Sequence, residues 1–105
     1  MADPGTVLSV SVRPGHNPGD VVVDWAALTA DPVVLTYNVF IDDGTGVDSS
    51  SAFRAKAIVL ATRTRRVFRN KLSWRAVFAT VTATNSEGTS GSDATEAQGV
   101  ARTRI

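Results

Sequence analysis

Few side chains in this sequence could exchange a proton or attack a substrate, and their placement argues against catalysis. His16 is the one histidine, the residue type whose ordinary pKa lies near neutrality. It sits in Arg13-Pro14-Gly15-His16-Asn17-Pro18-Gly19, where two prolines and two glycines in seven residues predict an exposed loop. There is no cysteine, which excludes disulfides, thiolate chemistry and cysteine-ligated zinc, and a lone histidine excludes His-pair metal sites. Neither a G-x-S-x-G nucleophile motif nor a G-x-x-x-x-G-K-[ST] phosphate loop occurs. Asp42, Asp43 and Asp48 flank a glycine turn. They could supply part of the roughly 6–8 oxygens that calcium takes, but their spacing fits no calcium loop and turn geometry accounts for them. The expectation is no catalytic residue, no metal, no cofactor and no enzyme.

Charge is the more informative chemistry. The net charge of +1 hides a partition. Residues 1–48 hold seven acids and one base, Arg13. Residues 49–86 hold eight bases and no acid: Arg54, Lys56, Arg63, Arg65, Arg66, Arg69, Lys71 and Arg75. The remainder carries Glu87, Asp93 and Glu96 against Arg102 and Arg104. Three readings compete. Acidic and basic strands could pair within the chain, each pair contributing a fraction of a kcal/mol. The basic segment could be a protein interface, since arginine outnumbers lysine nine to two and suits bidentate, partly desolvated contacts. Or it could hold phosphates, with Phe53 and Phe68 as stacking platforms. The near-neutral total and the acidic half disfavour nucleic acid. The interface residues expected on this basis are Arg54, Lys56, Arg63, Arg65, Arg66, Arg69, Arg75, Arg102 and Arg104, and reversal of Arg65 and Arg66 to glutamate is expected to spare the fold and weaken assembly.

The elements that must position these residues read as strands. Val7-Leu8-Ser9-Val10-Ser11-Val12 alternates, placing Leu8, Val10 and Val12 on one face. Asp20 to Trp25 is a second strand with Val21, Val23 and Trp25 together. Val33 to Ile41 is a third, with Leu35, Tyr37, Val39 and Ile41 on one face and Val34 and Phe40 on a partly covered other. Phe53 to Leu60 and Thr62 to Leu72 mix arginines with apolar residues, and strand is preferred over helix in both. In Trp74 to Thr84, Val77, Ala79, Val81 and Ala83 point one way, and Phe78, Thr80, Thr82 and Thr84 the other. Asn85-Ser86-Glu87-Gly88 is a turn. Thr89 to Ala97 suits a last strand or its approach. Six to seven short strands without a convincing helix predict an all-β, two-sheet antiparallel sandwich. The expected core is Leu8, Val10, Val12, Val21, Val23, Trp25, Tyr37, Val39, Ile41, Leu72, Val77, Ala79, Val81 and Ala83. The expected domain spans 7–97, with an N-terminal extension over 1–6 and a tail over 98–105.

These residues resemble a fibronectin type III, immunoglobulin-like domain. Trp25 ends the second strand, Tyr37 lies early in the third, and Val81-Thr82-Ala83-Thr84-Asn85-Ser86-Glu87-Gly88-Thr89-Ser90 matches the spacing of the family's sixth strand and turn. The family's tyrosine six residues before that alanine is replaced by Val77, with Phe78 beside it. The resemblance covers residues 6 to 97 and implies a non-enzymatic module.

The functional expectation is a structural or assembly protein acting through protein–protein contacts. It resembles the fibronectin-like modules that tailed bacteriophages place on their particles as head decoration, tail or appendage domains. Its expected partners are then capsid or tail subunits, including copies of itself, and its expected location is the virion after folding in host cytoplasm. Nucleic acid is disfavoured, and no apolar run approaches the roughly 20 residues that span a bilayer. No secretory signal is visible in Met1-Ala2-Asp3-Pro4-Gly5, so the chain reads either as a small gene product or as a module supplied with its own start. The alternative is an accessory spacer or binding module from a larger secreted bacterial enzyme, for which Trp74 is the candidate exposed aromatic.

Overall fold

β-Branched residues favour extended chain, and alternation gives it one buried face; the computed structural model of the protein has seven strands among its described residues. It describes residues 4–29, 33–42, 55–69, 71, 76–88, 91, 94 and 96–100. The strands are β1 (Ser11–Pro14), β2 (Val21–Asp24), β3 (Val34–Asp42), β4 (Ala55–Leu60), β5 (Arg65–Phe68), β6 (Val77–Asn85) and β7 (Ala97–Gly99). They form two antiparallel sheets, ordered β1-β2-β5 and β4-β3-β6-β7. No helix occurs among the described residues. The two inner faces share one core, to which β2 gives Val21 and Val23, β3 gives Tyr37, Val39 and Ile41, and β6 gives Val77, Ala79, Val81 and Ala83.

Trp25 and Tyr37 anchor that core edge to face, with ring centroids 5.4 Å apart and planes at 62°. The Tyr37 hydroxyl accepts a hydrogen bond from the Leu28 N–H at 2.9 Å, which ties the β2–β3 connection to the core. Val77 stands fully buried at the position where the family pattern has its tyrosine. The turn after β6 forms as the sequence predicts. Gly88 adopts φ +81°, its N–H donates to the Asn85 carbonyl at 3.0 Å, and the Asn85 side chain accepts from the Glu87 N–H.

Two faces differ from the alternation. Leu8 is 67% exposed, whereas Val7 is buried and Val10 and Val12 only edge the core. Ser9 is the cause: its φ of +60° turns the chain over, so inward positions fall three apart at Val7 and Val10 instead of two. The first strand accordingly begins at Ser11 and takes in Arg13 and Pro14, where the prolines and glycines of the sequence predict a loop. Likewise Leu35 is 52% exposed and Val34 is buried, because the β3–β6 register slips between Val34 and Thr36. The second sheet also takes in Gln98 and Gly99, paired with Phe78 and Val77, beyond the domain end at 97 that the sequence predicts. Leu72 and Trp74 lie outside the described residues.

Candidate functional site

A sandwich has four open strand edges, and here they are treated unequally. On one side β1 lies against β7, so closely that a Cβ on Gly99 would meet the Val12 backbone. On the other side β4 and β5 are each the last strand of their sheet. They are joined by the Ala61–Thr64 turn, in which the Arg63 N–H donates to the Leu60 carbonyl at 3.0 Å. The cleft between them is a groove of about 770 Å³ lined by Ile58, Leu60, Arg63, Arg65, Arg66 and Arg69, with Asp24 at its rim.

Strand phase decides what each side chain does there. The Ala61 N–H donates to the Leu35 carbonyl at 2.9 Å. Counting back by two, Val59 and Ala57 turn their backbone groups toward β3, and Lys56, Ile58 and Leu60 turn theirs outward. The same three side chains lie on the outer face, where Ile58 is 63% and Leu60 66% exposed. Lys56 lies over the Phe40 ring at 5.3 Å. In β5, Arg65 sits opposite Asp24 on the outer face of its sheet, and Arg66 sits opposite Val23 on the inner face. The Arg66 guanidinium therefore leans into the cleft, 5.9 Å from the centroid of the Phe68 ring.

The arginines divide into two kinds. Asp24 accepts from Arg65 Nε and Arg13 Nε, both at 2.8 Å, across three adjacent strands. Burial pushes the Asp24 carboxyl up, but the hydrogen bonds from Arg65 and Arg13 outweigh it and hold the group below the ordinary carboxylate range. Arg69 approaches the buried Asp20 carboxylate at 3.7 Å. Arg63 and Arg66 have no carboxylate within salt-bridge distance among the described residues. The groove thus has surplus positive charge, an apolar lip and a row of outward-facing backbone groups. The described residues that line it include no serine, histidine or lysine. Among the described residues no group of three acidic or histidine side chains is placed to hold a metal ion.

Of the nine interface residues expected from sequence, Arg63, Arg65, Arg66 and Arg69 come together at this groove. Lys56 stands on the adjoining outer face. Arg54, Arg75, Arg102 and Arg104 lie outside the described residues, as do Asp43, Asp48 and Phe53. Arg65 and Arg69 are engaged by Asp24 and Asp20, so pairing within the chain and surplus charge both occur, each at its own residues. Phe68 is buried in the core and offers no stacking platform. His16 is exposed in its loop. Sequence reasoning missed Ile58 and Leu60, although Lys56 two positions earlier marks their phase as outward. It also missed Asp20, which is 4% exposed and closes the β1–β2 loop by donating its N–H to the Asn17 carbonyl.

Comparison with known proteins supports the architecture. No family model matches the chain, and no curated protein matches it. Among solved structures, an Fn3-like protein from Clostridium thermocellum superposes with a TM-score of 0.70 at 16% identity, covering 99% of both chains. The chicken CNTN1 FN1–FN3 domains superpose with a TM-score of 0.75 at 19% identity, over 97% of this chain and 34% of that one. The Clostridium perfringens spore cortex lytic enzyme SleM gives 0.64 at 16% identity, over 92% of this chain and 28% of that one. The chain has the fibronectin type III-like fold.

Proposed function

We propose that the protein is a non-enzymatic module that works by protein–protein contact through the groove between β4 and β5. The observation that carries this reading is the joint exposure of Ile58 and Leu60 beside Arg63 and Arg66, which no described carboxylate neutralises. Apolar side chains flanked by arginine are the composition of a contact surface, whereas a single-stranded nucleic-acid site pairs cations with exposed stacking aromatics, and Phe68 is buried. The fold is compatible with this role, since function in such sandwiches lies at grafted surfaces.

The finer form of the reading is a particle component, in which copies or neighbouring subunits of a bacteriophage virion are contacted. It rests on the resemblance of the sequence to such modules. The second form is an accessory module of a secreted bacterial enzyme, favoured by the presence of this fold as 28% of SleM. The test common to both replaces Arg63 and Arg66 with glutamate. Reversal at Arg65 is unsuitable, because it would set a carboxylate against Asp24. The double variant should fold like the parent and lose at least about ten-fold in affinity for the particle or for the rest of the enzyme. Unchanged co-purification in fixed stoichiometry would overturn the groove as the contact. Co-purification with virions selects the first form, and a reading frame continuing into a catalytic domain selects the second.

A further inference from the structure

We infer that the groove accepts an extended peptide strand in which acidic and apolar residues alternate, added to the free edge of β4. This rests on the groove being the contact surface and goes further, by naming the shape and chemistry of what enters. Three observations converge. The N–H and C=O groups of Lys56 and Ile58 face outward and have no partner among the described residues, an unfilled ladder of the kind that captures a strand. The outer-face neighbours of an added strand would be Ile58 and Leu60, both more than half exposed. Its inner-face neighbours would be the small Ala57 and Val59, with Arg66 across the cleft on β5 and Arg63 at the cleft's end in the Ala61–Thr64 turn. Because side chains on a strand alternate, one set meets apolar groups and the other meets guanidinium groups.

Charge decides between this occupant and a second copy of the same edge. Two β4 edges paired about a two-fold axis would bring two sets of Arg63 and Arg66 into one cleft, and among the described residues no carboxylate lies within salt-bridge distance to offset them. A strand bearing carboxylates on its inner face removes that repulsion and forms charge-assisted bonds. A sulfated polysaccharide or a single-stranded nucleic acid would use the arginines but leave Ile58, Leu60 and the outward backbone groups unused.

The test uses a short capped peptide alternating aspartate and valine, titrated into the protein and followed by amide NMR shifts and calorimetry. Controls are a block peptide of the same composition and an alternating peptide N-methylated along one edge. The alternating peptide should bind at least about ten-fold more tightly than either control, with the largest shifts at Lys56, Ile58 and Leu60. Arg66→Glu and Ile58→Thr should each weaken it several-fold while leaving the rest of the spectrum in place. Equal binding of block and alternating peptides would overturn strand addition, as would tighter binding of a heparin fragment or oligothymidylate that is indifferent to Ile58→Thr. If no peptide binds while the Arg63/Arg66 double reversal still abolishes contact with particle or enzyme, strand addition fails and the groove stands. If that reversal is also without effect, both readings fail.

Discussion

The Tyr37 hydroxyl and the Trp25 ring stand at the same point of the core, yet they differ in how their polar atoms are treated. Tyr37 accepts from Leu28, whereas the indole N–H of Trp25 is buried with no partner among the described residues. Tyr37→Phe should therefore cost about 1 kcal/mol in urea unfolding, because it leaves the Leu28 N–H unsatisfied. Trp25→Ala should cost about 3–5 kcal/mol through lost packing alone. Asp24 supplies a pH-dependent contribution. Its folded pKa is depressed by Arg65 and Arg13, so these ion pairs contribute in full above the ordinary carboxylate pKa of about 3.9 and are lost as pH falls toward the lower folded value. Asp24→Asn should cost about 0.5–1 kcal/mol at neutral pH and flatten the fall in urea midpoint below about pH 4. An acid limb as steep as the parent's would show that Asp24 contributes nothing.

At the scale of the element, what could be read from sequence depended on whether a strand keeps its phase. β2 and β6 keep their phase, and Val21, Val23, Val77, Ala79, Val81 and Ala83 are all fully buried as their spacing predicts, although Val22, Thr80 and Thr82 on the opposite faces are buried too. The approach to β1 and the start of β3 do not hold it. At Ser9 a residue other than glycine takes positive φ, and at Leu35 an apolar side chain turns outward at a register slip. Neither position carries a local mark, since the serine and the leucine each fit regular strand. Val7→Ala should cost about 2 kcal/mol, while Leu8→Thr should stay within about 0.5 kcal/mol of the parent. The reverse order would place the first segment in the phase that uninterrupted alternation assigns. The groove is legible in the same partial way. The basic run contains the four arginines that gather there, but separating Arg63 and Arg66 from Arg65 and Arg69 requires knowing that β5 pairs with β2, which sets Arg65 opposite Asp24.

At the scale of the whole molecule, the two sides of the sandwich differ, and the contact proposed above lies on the open one. One side is closed by β1 against β7 at a glycine. The other leaves β4 and β5 apart, with the cleft, the arginines and the apolar lip between them. Ile58→Thr and Leu60→Thr should each change stability by less than about 0.5 kcal/mol while altering binding, because neither side chain is in the core. The openness of that edge is most directly read by amide hydrogen exchange of the free protein at native pH. The amides of Lys56, Ile58 and Leu60 should exchange rapidly, and those of Ala57 and Val59 should be protected by their bonds to β3. Uniform protection along β4 would mean that another strand already covers the edge, and would contradict the account.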